Sequence, residues 1–208
     1  MGRIEKHTVR IQDNKGFSLV ELLVGLAVFS LVGLVLTHQL TFGSRVNTKQ
    51  SAVARAQQSL RAARLMINQD IRLAGLDPRV TFGFGFEEAT PTKFRVTADL
   101  DGDGVVDNSG AERVTYEIPA GARELQKILY EGTASQVTAP LLDRVDPTAS
   151  GFVYLDANDL PIASPVAAAQ LDNIRAVVVN LSVEEVAGRE GIVNRESSGR
   201  VLCRNMGI

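Results

Sequence analysis

Lys15-Gly16-Phe17-Ser18-Leu19-Val20-Glu21-Leu22 opens an apolar run that ends near Leu40, and how this stretch is read decides the fold. Before it lies a polar leader with Arg3, Lys6, Arg10 and Lys15 set against Glu5 and Asp13. From Phe17 to Thr37 the only charged residue is Glu21, and no proline interrupts the run. At about 1.5 Å per residue the run matches the roughly 30 Å core of a bilayer. A membrane-spanning helix is therefore expected. The positive excess of the leader holds that end in the cytoplasm and sends the rest of the chain outward.

Glu21 is the anomaly. An acid inside a bilayer costs on the order of 3 kcal/mol, less near a helix end. One helical turn before it stands Phe17. If the chain is cut after Gly16, Phe17 gains a free α-amine that could neutralise Glu21, within one chain or between neighbours. The other reading is a helix-end acid snorkelling to the headgroups. Spacing alone leaves both open.

Gly16-Phe17-Ser18-Leu19-Val20-Glu21-Leu22 resembles the prepilin signature of type IV pilins and type II secretion pseudopilins. The resemblance implies cleavage between Gly16 and Phe17 and N-methylation of Phe17 by a membrane prepilin peptidase/methyltransferase. It implies an assembly role for Glu21, and other pilins or pseudopilins as partners. Asp70-Ile71 and Arg72-Leu73-Ala74-Gly75 are similar to the end of the long helix in PilW-type minor pilins. The implied location is the inner membrane, with a cytoplasmic N-terminus and a periplasmic head, and then a pilus or pseudopilus. Major pilins of this kind often carry a proline before the helix leaves the membrane; here His38 stands at that place. Many also staple the C-terminal region with a disulfide, which a chain with one cysteine, Cys203, cannot do internally.

Four segments follow: a leader over 1–16, a transmembrane helix over 17–40, its amphipathic continuation over 41–75, and a β-rich exported head over 76–208. In the third, Phe42, Val46, Val53, Ala56, Leu60, Ala63, Ile67, Ile71 and Ala74 recur at helical spacing. The arginines between them read as a solvated face. Gly75 is a C-terminal cap, and Asp77-Pro78 blocks continuation. Beyond it, Phe82, Phe84 and Phe86 alternate with glycines, which puts the rings on one face. Strands are expected over 93–98, 112–118, 125–130, 151–155, 174–183 and 200–204, with a loop over 156–161. The fold class is α+β, pilin-like, a long helix laid on a mostly antiparallel sheet.

Within the head, Asp99, Asp101, Asp103, Val105 and Asp107 alternate, with Gly104 after the third acid. This is the first half of an EF-hand-like calcium loop. Side chains of the first three acids, the Val105 carbonyl and Asp107 would supply hard oxygens. Gly110 stands where the bidentate acid is expected, and Glu112 comes two residues late. The other reading is an acidic Asp-Gly hairpin without an ion. No cofactor is otherwise required. The net charge of -2 gives no basic balance for direct nucleic-acid binding. There is no second thiol, no histidine in the expected exported head and no phosphate-cradling glycine motif, so an enzyme is not expected. Glu184-Glu185 reads as solvent-facing.

The function expected is that of a minor pilin, a structural subunit priming or supporting assembly of a type IV pilus. A type II secretion pseudopilin is the alternative within the class. From another class comes a signal-anchored periplasmic binding or enzymatic domain.

Overall fold

The computed structural model describes residues 16, 18–81, 83–107, 110–188 and 191–206. The leader up to Lys15, Phe17 and Phe82 lie outside the described residues. The chain divides into two compact units, Met1–Val46 and Asn47–Ile208.

Helix α1 spans Leu19–Leu73, 55 residues. Its apolar half has the length and composition to cross a membrane. Three hydroxyls in and just after this stretch fold back onto the helix: Ser30 Oγ donates to Leu26 O (2.7 Å), Thr37 Oγ1 to Gly33 O (2.9 Å) and Thr41 Oγ1 to Thr37 O (2.8 Å). A hydroxyl satisfied this way adds no orphan donor to hydrocarbon.

In the second unit the same helix becomes one-sided. Ala52, Ala56, Leu60, Ala63, Ile67 and Ile71 are buried, at spacings of three and four. The expected stripe also held Phe42 and Val46, but both are exposed, and burial begins only at Ala52. Alanine at three of these positions lets strands approach closely. Gly75 ends the helix with φ 78°, as its sequence position suggested, and Asn205 Nδ2 donates to Arg72 O at 3.0 Å.

Eight strands follow: β1 Phe86–Ala89, β2 Lys93–Thr97, β3 Arg113–Glu117, β4 Glu124–Leu129, β5 Val137–Asp143, β6 Gly151–Leu155, β7 Ala176–Val186 and β8 Ile192–Leu202. They form not one sheet but two, of order β1-β2-β3-β4-β5 and β6-β7-β8, antiparallel throughout. A bridge between Val145 and Val183 links them.

Alternation places Phe94, Val96, Val114, Tyr116 and Phe152 inward. Phe94 stacks on Tyr116 at 5.1 Å and meets Phe152 edge-on at 4.7 Å, so it joins the two sheets. Of the expected phenylalanine row, Phe86 enters the core while Phe84 is half-exposed. Asp70 fastens the helix to the first sheet. It accepts from Tyr116 OH at 2.6 Å and Lys127 Nζ at 2.7 Å. Burial is the largest influence lifting the Tyr116 pKa, and the Asp70 charge adds to it.

Candidate assembly helix and acidic loop

The first site is built from the helix of the first unit. Ser18 O accepts the Leu22 N–H at 3.1 Å, which closes the first turn, and Glu21 lies within that turn. From Leu19 to Gln50 every side chain is exposed, and only Gly33 is half-buried. Phe29, Leu34 and Leu40 each leave more than two-thirds of their surface open, at 76%, 72% and 74%. From Leu19 to Leu36 the helix is apolar on all sides apart from Glu21, and its apolar side chains are exposed among the described residues; such a surface needs lipid or other helices around it. Glu21 is exposed among Leu22, Gly25, Leu26 and Phe29. Gly16 is exposed; Phe17, its expected partner at the cleavage point, is outside the described residues.

The second site is the loop after β2. Asp99 is fully buried, and its carboxylate organises the turn. Oδ1 accepts from Gly102 N (2.7 Å) and Asp103 N (3.1 Å), and Oδ2 from Gly104 N (3.0 Å). Asp101 Oδ1 takes the Asp103 N–H at 3.0 Å, and Asp103 Oδ1 takes the Val105 N–H at 2.8 Å. Gly102 and Gly104 adopt φ 79° and 83°, which a side chain would strain.

Glu112, out of register for the loop pattern, is nevertheless brought to it. It is 1% exposed. Its carboxylate accepts from Leu100 N at 2.8 Å and Asp107 N at 3.1 Å. Two successive left-handed residues, Gly110 (φ 66°) and Ala111 (φ 62°), turn the chain back to make this reach. No spacing rule announces that path.

The acids crowd one another. The Asp103 N–H is the largest influence on Asp101 and pulls its pKa down. Desolvation and the charges of Asp103, Glu112 and Asp107 outweigh it, so the net direction is up. Carboxylate oxygens of Asp99, Asp101 and Asp103 lie within 4.8 Å of one another. Oxygens about 2.3–2.6 Å from one calcium ion lie at most roughly 5.2 Å apart, so the spacing of this set is compatible with a shared hard cation. Val105 and Asp107 belong to the loop, but their backbone N–H groups are held by Asp103 and Glu112.

Two sequence readings are corrected here. Glu184 and Glu185 do not simply face solvent. Glu184 pairs with Arg123, and Glu185 with Arg144 at 2.6 Å. Nor is every helix arginine solvated, since Arg64 Nη1 donates to Ser197 Oγ at 2.9 Å. Cys203 is buried, as its type suggested, and burial pushes its thiol up to about 12 against a smaller opposing pull from Arg175.

Residues 11–37 match the prokaryotic N-terminal methylation motif. A type IV-like pilin from Thermus thermophilus is similar in structure, with TM-score 0.51 and 14% identity over 74% of this chain and 100% of that one. Two pseudopilins solved as a complex, from the type 2 secretion system of Vibrio vulnificus, give a match at TM-score 0.39 and 16% identity, over 73% and 98%. No curated protein sequence matches at a significant level. The chain therefore carries a prepilin-type methylation motif at its N-terminal end and a pilin-like fold.

Proposed function

We propose that the chain is a minor pilin, a membrane-stored structural subunit and not an enzyme, that primes or supports assembly of a type IV pilus. The carrying observation is the helix from Leu19 to Leu36, apolar on every face apart from Glu21 and with its large apolar side chains exposed. In this reading the prepilin peptidase cuts between Gly16 and Phe17 and methylates the Phe17 amine. The leader stays cytoplasmic and the head lies outside the inner membrane. On leaving lipid, the helix joins the apolar core of a filament made of other pilins. Glu21 then sets axial register by pairing with a Phe17 amine, because an unpaired acid among apolar helices costs several kcal/mol.

The test is the Glu21→Ala variant. Membrane insertion and head stability are expected to stay unchanged, while incorporation into pili falls at least about tenfold, the equivalent of about 1.4 kcal/mol. Normal incorporation would count against the role of Glu21. Sequencing the mature N-terminus checks the cleavage step, and a start at Met1 would favour a signal-anchored domain. Deletion of the gene separates pilus from pseudopilus: loss of pili supports the reading, loss of secretion alone refutes it.

We further propose that the Asp99–Asp107 loop takes a calcium ion. Asp99, Asp101 and Asp103 would hold the ion, with Val105 and Asp107 completing the shell. Since Asp99 and Glu112 already satisfy several loop amides, calcium would tighten the loop and would not be needed to form it. Expected is a rise in the melting temperature with calcium that chelator reverses and Asp101→Asn with Asp103→Asn abolishes. A calorimetric titration without heat would remove the ion.

A further inference from the structure

The outer edge of β8 is unlike the other sheet edges. Ala187 N–H donates to Gly191 O (2.8 Å) at one end of the β7–β8 ladder, and Cys203 N–H to Arg175 O (2.9 Å) at the other. These two rungs fix the phase, so odd-numbered residues of β8 bond to β7. The N–H and C=O groups of Asn194, Glu196, Ser198 and Arg200 point away from it. Eleven pairs run without a register shift, and β8 contains no proline.

Elsewhere the edges are guarded. β5 carries Pro140, beside a register shift at Leu125/Gln126. Ala89 O on β1 accepts from Val166 N at 2.8 Å. On β6, Phe152 N donates to Pro91 O at 2.8 Å and Tyr154 O accepts from Ile162 N at 2.9 Å. A long edge with no proline, register shift or backbone hydrogen bond to a covering loop among the described residues is a template for another strand.

Beside this edge runs a groove of about 460 Å³, walled by α1 on one side and Arg195, Glu196 and Ser197 on the other. Leu60 and Leu65 give it an apolar floor, and Arg61, Arg64 and Arg195 outnumber Glu196 on its rim. Two of the arginines sit on outward carbonyls of the edge. Arg64 Nη1 donates to Ser198 O at 3.2 Å, and Arg195 Nη1 to Asn194 O at 2.8 Å. The edge therefore presents chiefly donors. Asn68 Oδ1, also in the groove wall, is buried and has no hydrogen-bond partner among the described residues.

We propose that this groove receives an extended, acidic segment of a neighbouring subunit, which joins β6–β7–β8 as a fourth strand. Its backbone would pair with the outward groups of β8. Its carboxylates would draw the Arg64 and Arg195 guanidiniums off the edge carbonyls and so free them for the ladder. An N–H of the segment would satisfy Asn68. The partner follows from the reading that the chain works among other subunits, but binding at the edge is measurable without a filament.

The experiment uses the full chain in detergent micelles and two short synthetic peptides, one alternating Thr and Glu, the other Thr and Lys. The Glu peptide is expected to bind at least about tenfold more tightly, to weaken as salt rises, and to slow amide exchange at Asn194, Glu196, Ser198 and Arg200. Asn194→Pro removes an outward N–H but no rung to β7, so the melting temperature should hold while binding falls about fivefold or more. Arg61→Glu with Arg195→Glu should transfer the preference to the Lys peptide. Equal binding of both peptides, protection at other amides, or full binding by Asn194→Pro would overturn the proposal. So would edge protection that rises with protein concentration alone, since a second copy would then be the occupant. None of these outcomes reads pilus assembly, so the proposal can fail while the minor-pilin reading stands.

Discussion

One helix serves two regions with opposite habits. Over the first unit α1 carries large apolar side chains on all faces, and they are exposed. Over the second it carries alanines and isoleucines in one stripe, and Ala56, Ala63, Ile67 and Ile71 are fully buried. Propensity does not separate the halves, since alanine and leucine both favour helix. What separates them is who supplies the partner. Where the chain's own strands cover the helix, small residues let them come close. Where the cover must come from lipid or other helices, the surface is bulky all round. Function is therefore concentrated in what the chain leaves uncovered, and stability in what it covers.

That division is sharpest at Ile67. Ile67→Ala leaves a cavity at a site with no exposed surface and is expected to cost the head about 3 kcal/mol. Leu31→Ala, in the exposed half at 69%, should leave head unfolding unchanged. Denaturation followed by tyrosine fluorescence checks both, because all three tyrosines lie in the head. Equal losses from the two variants would break the comparison.

A smaller effect is expected at Asp70, where the covered half of the helix meets β3 and β4 through Tyr116 and Lys127. Asp70→Ala leaves a buried hydroxyl without its acceptor and a half-buried ammonium without its counter-charge, for about 2 kcal/mol. Asp70→Asn, which keeps an acceptor for Tyr116, should recover about half. Thermal unfolding of the two variants side by side checks this; an Asn variant as damaged as Ala would make the charge, not the hydroxyl's acceptor, the dominant contribution.

Much of this arrangement is legible locally. Gly16, Phe17 and Glu21 stand within six residues, so their pattern needs no tertiary information. β2, β3 and β6 show themselves by alternation because each has one face in the core. β5 escapes notice because only Leu142 of its seven residues is buried and Pro140 argues against a strand, which an edge position tolerates. The first part of β8 escapes because between Val193 and Val201 none of its residues is fully buried, so no apolar alternation marks it. A β-carbon on Gly199 would sit 1.9 Å from Arg64 Nη2, so a side chain there would displace the guanidinium of a residue 135 positions away in sequence. Glu112 belongs to the same class: its reach depends on a backbone path that the spacing of acids does not encode. The split into two sheets likewise rests on the bend at Arg144 (φ 55°) and the bridge from Val145 to Val183, a long-range outcome.

The gentlest test concerns the outer face of the first sheet, where charges stand in for the apolar cover that the inner face receives. Glu131 accepts from Lys93 Nζ at 2.8 Å and Thr115 Oγ1 at 2.8 Å, and pairs with Arg95. Desolvation, the largest single influence, would raise its pKa. The hydrogen bonds from Lys93, Arg95 and Thr115 together outweigh that and hold it at about 2. A carboxyl depressed on folding contributes its full stability above its unfolded value, near 4.5, and loses it as pH falls towards 2. Because the side chain is partly open to solvent, at 18%, screening reduces the contribution to about 1 kcal/mol. Glu131→Gln should therefore match the parent protein near pH 2 and fall behind it above pH 5. Urea midpoints taken across that range are the measurement; a gap between the two proteins that does not change with pH would show that the network holds Glu131 by shape and not by charge.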